Sequence, residues 1–118
     1  MNMEVYGDRA GVFGLYELTD NGTILYSRQR RSDELQASMP EVIGRDFFHD
    51  FVDCDNRDDL RRHFRRFVTD RRPVDAFLFD YRFDREVIRT KIHMTRAFES
   101  EDDHGSEIVI MDVRQAGV

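Results

Sequence analysis

The sequence predicts an α+β domain, a five-stranded antiparallel sheet with short helices and one longer helix on one face. Three observations carry this. Two β-prone runs flank an Asn-Gly turn near the start, one strongly amphipathic helix occupies the middle, and alternating segments fill the last third.

The first run is Val12-Phe13-Gly14-Leu15-Tyr16-Glu17-Leu18 and the second Thr23-Ile24-Leu25-Tyr26-Ser27. Thr19-Asp20-Asn21-Gly22 between them has the composition of a tight turn, so the pair reads as a hairpin. Residues 28 to 41 are polar, with no long amphipathic pattern, and read as short helical turns ending near Pro40. Val42-Ile43-Gly44 then reads as a tight turn into a short helix carrying Phe47, Phe48 and Phe51.

The spacing predicts the longer helix from Asp58 to Asp70. Leu60, Phe64, Phe67 and Val68 form one buried stripe at i, i+4, i+7 and i+8, and the arginines fall largely outside it. Asp58 and Asp59 at the start and Arg71 and Arg72 at the end suit the helix dipole, and Pro73 stops the helix. Phe77, Phe79, Tyr81 and Phe83 then alternate with polar or exposed positions, as do Ile88, Thr90, Ile92 and Met94. Glu99 to Ser106 reads as a loop, Ile108 to Val113 as a last strand, and the tail from Arg114 to Val118 as frayed.

A chain of 118 residues fits a single domain spanning residues 1–118. Ten phenylalanines point to an aromatic core, because their rings bring no polar group that must be satisfied. The net charge of -6 argues against nucleic acid as a partner. Lys91 is the sole lysine, a bias that genome composition explains more simply than guanidinium chemistry. Cys54 is the sole cysteine, so no internal disulfide forms, and a reducing compartment is the simplest setting. No apolar run approaches the ~20 residues needed to span a bilayer. The start lacks a basic-then-apolar signal pattern, so a cytoplasmic location without a membrane partner is expected.

The run Val42-Ile43-Gly44-Arg45-Asp46-Phe47-Phe48-His49-Asp50-Phe51-Val52-Asp53-Cys54 resembles the PAS family of sensory domains and, within it, the photoactive yellow protein group. The resemblance takes in the long helix, the aromatic segment 77 to 83 and Lys91-Ile92-His93-Met94, with Phe13-Gly14 and Gly22 upstream. It implies the PAS fold and a sensory role. In that group a cysteine, matched by Cys54, carries a 4-hydroxycinnamyl chromophore as a thioester. The tyrosine and glutamate that hold its phenolate are matched by Ser27 and Arg31, and a supporting threonine and arginine by Leu35 and Ala37. A buried phenolate needs donors aimed at it. Ser27 is a much shorter donor than tyrosine, and Arg31 is a permanent cation with no proton to transfer.

The expected ligand-binding residues are Ser27, Arg31, Phe47, Phe51, Cys54, Phe64, Tyr81 and Phe83. The aromatic ones, with Phe77 and Phe79, either line a pocket or fill a solid core. Flanking Asp53 and Asp55 disfavour a thiolate at Cys54. His63, at the edge of the helix stripe, is the candidate haem ligand, since haem-binding PAS domains take their axial histidine from this helix. No His/Cys cluster has metal-ligand spacing, and no catalytic set emerges. The expectation is a sensory module, not an enzyme, with no cofactor assigned. It binds a small apolar or anionic ligand or a partner protein and signals by a conformational or dimer change, as a homodimer. The alternatives are a photoreceptor with a cinnamyl group on Cys54 and a haem-based gas sensor.

Overall fold

A computed structural model describes residues 13–31, 34–99 and 106–116. Six strands form one antiparallel sheet: β1 (Gly14–Thr19), β2 (Ile24–Arg31), β3 (Glu34–Ser38), β4 (Val74–Phe83), β5 (Glu86–Glu99) and β6 (Ser106–Gln115). Their order is β3-β2-β1-β6-β5-β4, so the pairing of β1 with β6 welds the early hairpin to the late strands. Between β3 and β4 lie a 3-10 turn (Pro40–Val42), a π-helical turn (Phe47–Phe51) and one α-helix, α1 (Arg57–Thr69).

The sheet has six strands, not five. The polar stretch expected to form helical turns instead lengthens β2 to Arg31 and supplies β3, leaving only Pro40–Val42 helical. The cause is pairing: Arg28 lies opposite Ser38, Met39 N–H donates to the Ser27 carbonyl, and Arg28 Nε donates to the Gln36 carbonyl at 2.6 Å. An edge strand can satisfy its backbone this way without an apolar face. The tail is also more ordered than expected, since β6 runs to Gln115 and pairs Arg114 and Gln115 with Lys91 and Thr90. Residues 100–105 of the predicted loop, residues 117–118 of the tail and residues 32–33 lie outside the described residues.

The turn between β1 and β2 is as read. Gly22 has φ +94°, and a Cβ there would meet the Phe48 ring at 3.1 Å, so both conformation and space ask for glycine. Phe47 N–H donates to the Gly22 carbonyl, and the pair between Ile24 and the Gly44–Arg45 segment docks the Phe47 turn on the hairpin. Asp46 caps that turn, its carboxylate accepting from Phe48 and His49 N–H.

Helix α1 presents Leu60, Phe64 and Phe67, all buried, to the sheet. The sheet answers with Tyr16 and Leu18, Tyr81 and Phe83, Ile88, Ile92 and Met94, and Val109, Met111 and Val113, each at alternate positions along its strand. The helix is tied at both ends. At its start Asn56 does not cap; its amide donates to the Asp80 carbonyl (2.8 Å) and accepts from Arg82 N–H (3.1 Å). At its end the buried Arg96 of β5 donates to the Phe67, Val68 and Arg72 carbonyls and to Glu107 at 2.7 Å, its guanidinium 5.2 Å from the Phe67 ring centre. The Phe67 and Val68 carbonyls also accept from Arg72 and Arg71 N–H, and a cation beside them suits the helix dipole.

Arg96→Ala is therefore expected to cost roughly 2–4 kcal/mol, because it removes the charge-assisted bonds to Glu107 and to the Phe67, Val68 and Arg72 carbonyls at once. Arg62→Ala, which removes an exposed i,i+3 pair with Asp59, should cost less than about 0.5 kcal/mol. Urea unfolding of the two variants side by side checks the contrast.

Candidate functional site

The stretch after the π-helical turn brings the cysteine into the core. Asp55 N–H donates to the Arg82 carbonyl at 2.6 Å, and the Asn56 side chain grips Asp80 and Arg82 on either side of Tyr81. Cys54 and Tyr81 are thereby held together under the helix N-terminus. Cys54 is 4% exposed and Tyr81 fully buried. Phe79 and Phe83 lie edge-on to the Tyr81 ring, at 5.4 and 6.4 Å.

From the other side of the core comes Tyr16. It pairs with Ser27 across β1 and β2 and with Met111 on β6, so its side chain and that of Ser27 stand side by side facing α1. Its ring meets Phe47 at 4.9 Å and Phe51 at 5.5 Å. A Cβ on Gly14 would sit 2.7 Å from the Tyr16 hydroxyl, so the glycine is what lets the phenol lie back along its own strand. Phe48 links this group to Phe64 on α1, with ring centres 5.0 Å apart.

The electrostatics of the cluster are those of neutral groups. Burial pushes the Cys54 thiol up from 9.0 to about 11, outweighing the backbone N–H groups and Arg57 that favour the thiolate; Asp55 adds a smaller upward push. Burial also raises the Tyr16 phenol. Tyr81 is raised by burial first and then by the charges that Tyr16 and Cys54 would carry, which places all three groups within electrostatic reach. The hydroxyls of Ser27 and Tyr81 are buried and meet no hydrogen-bond partner among the described residues.

Of the residues expected at the site, Ser27, Phe47, Cys54, Phe64, Tyr81 and Phe83 are buried in one core and Phe51 is half-buried at its margin. Arg31 ends β2 and is exposed, as is Ala37, while Leu35 is half-buried on β3. The residues that sequence reasoning missed are Tyr16 and Asn56. Tyr16 lies in the apolar run Val12 to Leu18, but nothing local singles it out or pairs it with Ser27. His63 is engaged elsewhere: its Nε2 lies 3.0 Å from Asp75, and its ring stacks on Phe77 at 3.6 Å. No group of three or more His, Cys, Asp or Glu among the described residues is arranged to hold a metal ion.

No protein-family model matches the chain. It is 30% identical, over 91 residues covering 75% of this chain and 71% of the relative, to a photoactive yellow protein of Rhodothalassium salexigens. Among solved structures it is similar to the photoactive yellow protein domain from the sensor histidine kinase Ppr of Rhodospirillum centenum. That match has a TM-score of 0.57 at 24% identity and covers 93% of this chain and 91% of the other. It is also similar to the PAS domain of BvgS from Bordetella pertussis, with a TM-score of 0.56 at 12% identity, covering 99% and 89%. These two likenesses are of fold.

The raised acids set an alkaline limit. Between pH 9 and 11 the unfolded chain gives up the Cys54 proton while the folded chain keeps it, so stability falls as pH rises through that window. Below pH 10 the unfolding equilibrium should shift by up to about tenfold per pH unit, the slope should steepen above pH 10 where Tyr16 and Tyr81 also keep protons that the unfolded chain gives up, and Cys54→Ala should delay the decline until the tyrosines ionise. Urea midpoints from pH 8 to 11 measure both.

Proposed function

Because this chain belongs to the photoactive yellow protein family of PAS domains, we propose that it is a sensory module that takes up a small ligand in the core around Cys54 and passes the resulting change in shape to a partner protein. The observation that carries the reading is the Asn56-held cluster. A fold gains nothing by burying the Ser27 and Tyr81 hydroxyls without partners unless something else meets them.

The reading is of a binding domain spanning residues 1–118, not an enzyme, working in the cytoplasm. No helix among the described residues is long and apolar enough to cross a membrane. Val74 and Leu78 on β4 and Val87 on β5 are exposed on the sheet face opposite α1. They suit a homodimer or a docked output partner, through which a strain in the core would leave the domain. The solved relative that is a domain of a sensor histidine kinase supports an output of this kind.

A second reading has one observation in its favour. Cys54 lies at the position that carries the cinnamyl thioester in the photoactive yellow protein group, and it is buried beside Tyr81. Its high pKa makes the thiol a slow nucleophile at neutral pH, so acylation should accelerate about tenfold per pH unit up to about 11. The haem reading has less support, because iron on His63 would have to displace Asp75 from Nε2.

Native mass spectrometry of freshly purified protein is expected to show a dimer and a non-covalent small-molecule ligand. A ligand-free monomer would count against the sensory reading in this form. Treatment with an activated 4-hydroxycinnamic acid separates the second reading: a mass increase in wild type that Cys54→Ser abolishes supports attachment, and no adduct on wild type rejects it.

A further inference from the structure

The sheet ends on one side with β3 and on the other with β4, and the two edges are built differently. β3 is short and polar and meets β2 through a register shift, features that discourage a further strand. β4 has 10 residues, no proline and no bulge against β5. Asp55 and Asn56 reveal which of its backbone groups face outward. They take the Asp80 carbonyl and the Arg82 N–H and carbonyl, so these residues turn their backbones away from β5. Backbone direction alternates along a strand, so Val74, Ala76 and Leu78 turn theirs outward as well. Pro73 directs its carbonyl to Arg96 N–H on β5, as that alternation requires. No backbone group among the described residues meets the outward groups of Val74, Ala76 and Leu78. The open stretch therefore covers residues 74–78, closed at one end by Pro73 and at the other by the Asn56 clasp.

Its side chains suit one occupant, the same stretch of a second copy. Antiparallel pairing about a two-fold axis at Ala76 sets Leu78 of each copy opposite Val74 of the other, and Ala76 opposite itself. Leu78 is 63% exposed and Val74 58%, so each large apolar side chain left in water meets another. This register makes about six backbone hydrogen bonds, all from the open groups. A shift toward the end of β4 would set Val74 opposite Asp80, whose carbonyl Asn56 already holds. A shift toward its start would carry Leu78 past Pro73 of the second copy, where the strand has ended. Asp75 is the sole charged residue of the stretch. It falls opposite Phe77 and is met within its own chain by His63 and Arg72, so no like charges come face to face.

We propose that residues 74–78 of β4 pair antiparallel with the same residues of a second copy, joining the two sheets into one. The proposal rests on the homodimer of the reading above and gives it a place, the edge of the sheet and not its face. So short a contact falls well below the ~800 Å² per partner of a standard interface, so the dimer forms and separates with concentration.

Sedimentation velocity from about 5 µM to about 500 µM tests this, with amide exchange followed by NMR on the same samples. The wild-type mass should rise toward two chains, and the Ala76 and Leu78 N–H groups should exchange at least about tenfold more slowly at the top of the range. Ala76→Pro removes an outward N–H without breaking the ladder to β5, and Leu78→Lys puts a charge on the edge; each should weaken the dimer at least about tenfold. Leu78→Lys carries the test if Ala76→Pro does not fold, since the Leu78 side chain stands in solvent. Val87→Lys, on the outer face but away from the open stretch, should leave the dimer unchanged. A monomer over the whole range overturns the proposal, and so do Ala76 and Leu78 amides that slow only when a different protein is added. A dimer that Val87→Lys abolishes and the two edge variants leave intact overturns it too, while the homodimer reading stands. A monomer that carries a bound ligand sinks this inference alone; a monomer without one sinks the sensory reading as well.

Discussion

The two-ended seating of α1 on the sheet governs the rest of the molecule. Asn56 holds the helix start to Asp80 and Arg82, and Arg96 holds its end through three backbone carbonyls and Glu107. The two anchors come from opposite logic. Asn56 leaves the helix N-terminus without a side-chain cap in order to bind the edge strand. Arg96 reaches out of β5 to donate to the Phe67 and Val68 carbonyls, which also accept from Arg72 and Arg71 N–H in the closing turn where Arg71 has φ +55°. Between them the Leu60, Phe64 and Phe67 stripe has one place to land, and the chain just before Asn56 is fixed against β4. Cys54 owes its burial beside Tyr81 to this arrangement.

The parts of the fold that were legible in the sequence are those where burial imposes a period. The helix stripe, the Asn-Gly hairpin and the inward alternation from Phe77 to Phe83 and from Ile88 to Met94 each leave a local signature. β3 leaves none. Glu34–Ser38 is an edge strand with no buried residue, and it exists because β2 offers backbone partners, which only the assembled sheet reveals. The π-helical turn was legible as a short aromatic helix, but its type follows from Val52 N–H bonding the Phe47 carbonyl five residues back. The site divides in the same way. Phe47, Cys54, Phe64, Tyr81 and Phe83 stood out as aromatic or resembled positions and are all in the core. Tyr16 did not, because its place beside Ser27 depends on a cross-strand register that no local pattern encodes. Arg31 stood out by position in the family resemblance, yet it ends the strand at the solvent side.

The pairing of Tyr16 with Ser27 shapes this end of the core. At the position where the photoactive yellow protein group has a tyrosine, this chain has a serine, and a phenol stands directly across the strand pair. Gly14 makes room for it: any larger residue would collide with the Tyr16 hydroxyl and with the Arg28 carbonyl. The Tyr16 phenol lies on the face toward α1, with Phe47 and Phe51 as its aromatic wall.

The placement of these groups bears on the charge of the site. A phenol facing a carboxylic acid or a guanidinium can share or stabilise an anion, whereas here burial raises the Tyr16, Tyr81 and Cys54 groups, and Tyr81 is raised further by the charges that Tyr16 and Cys54 would carry. With Arg31 outside and Arg30 committed to Asp112, the described core contributes donors without counter-charge. Asn56, which grips the backbone of Asp80 and Arg82, joins the helix start over this core to β4, whose alternate residues stand on the outer sheet face.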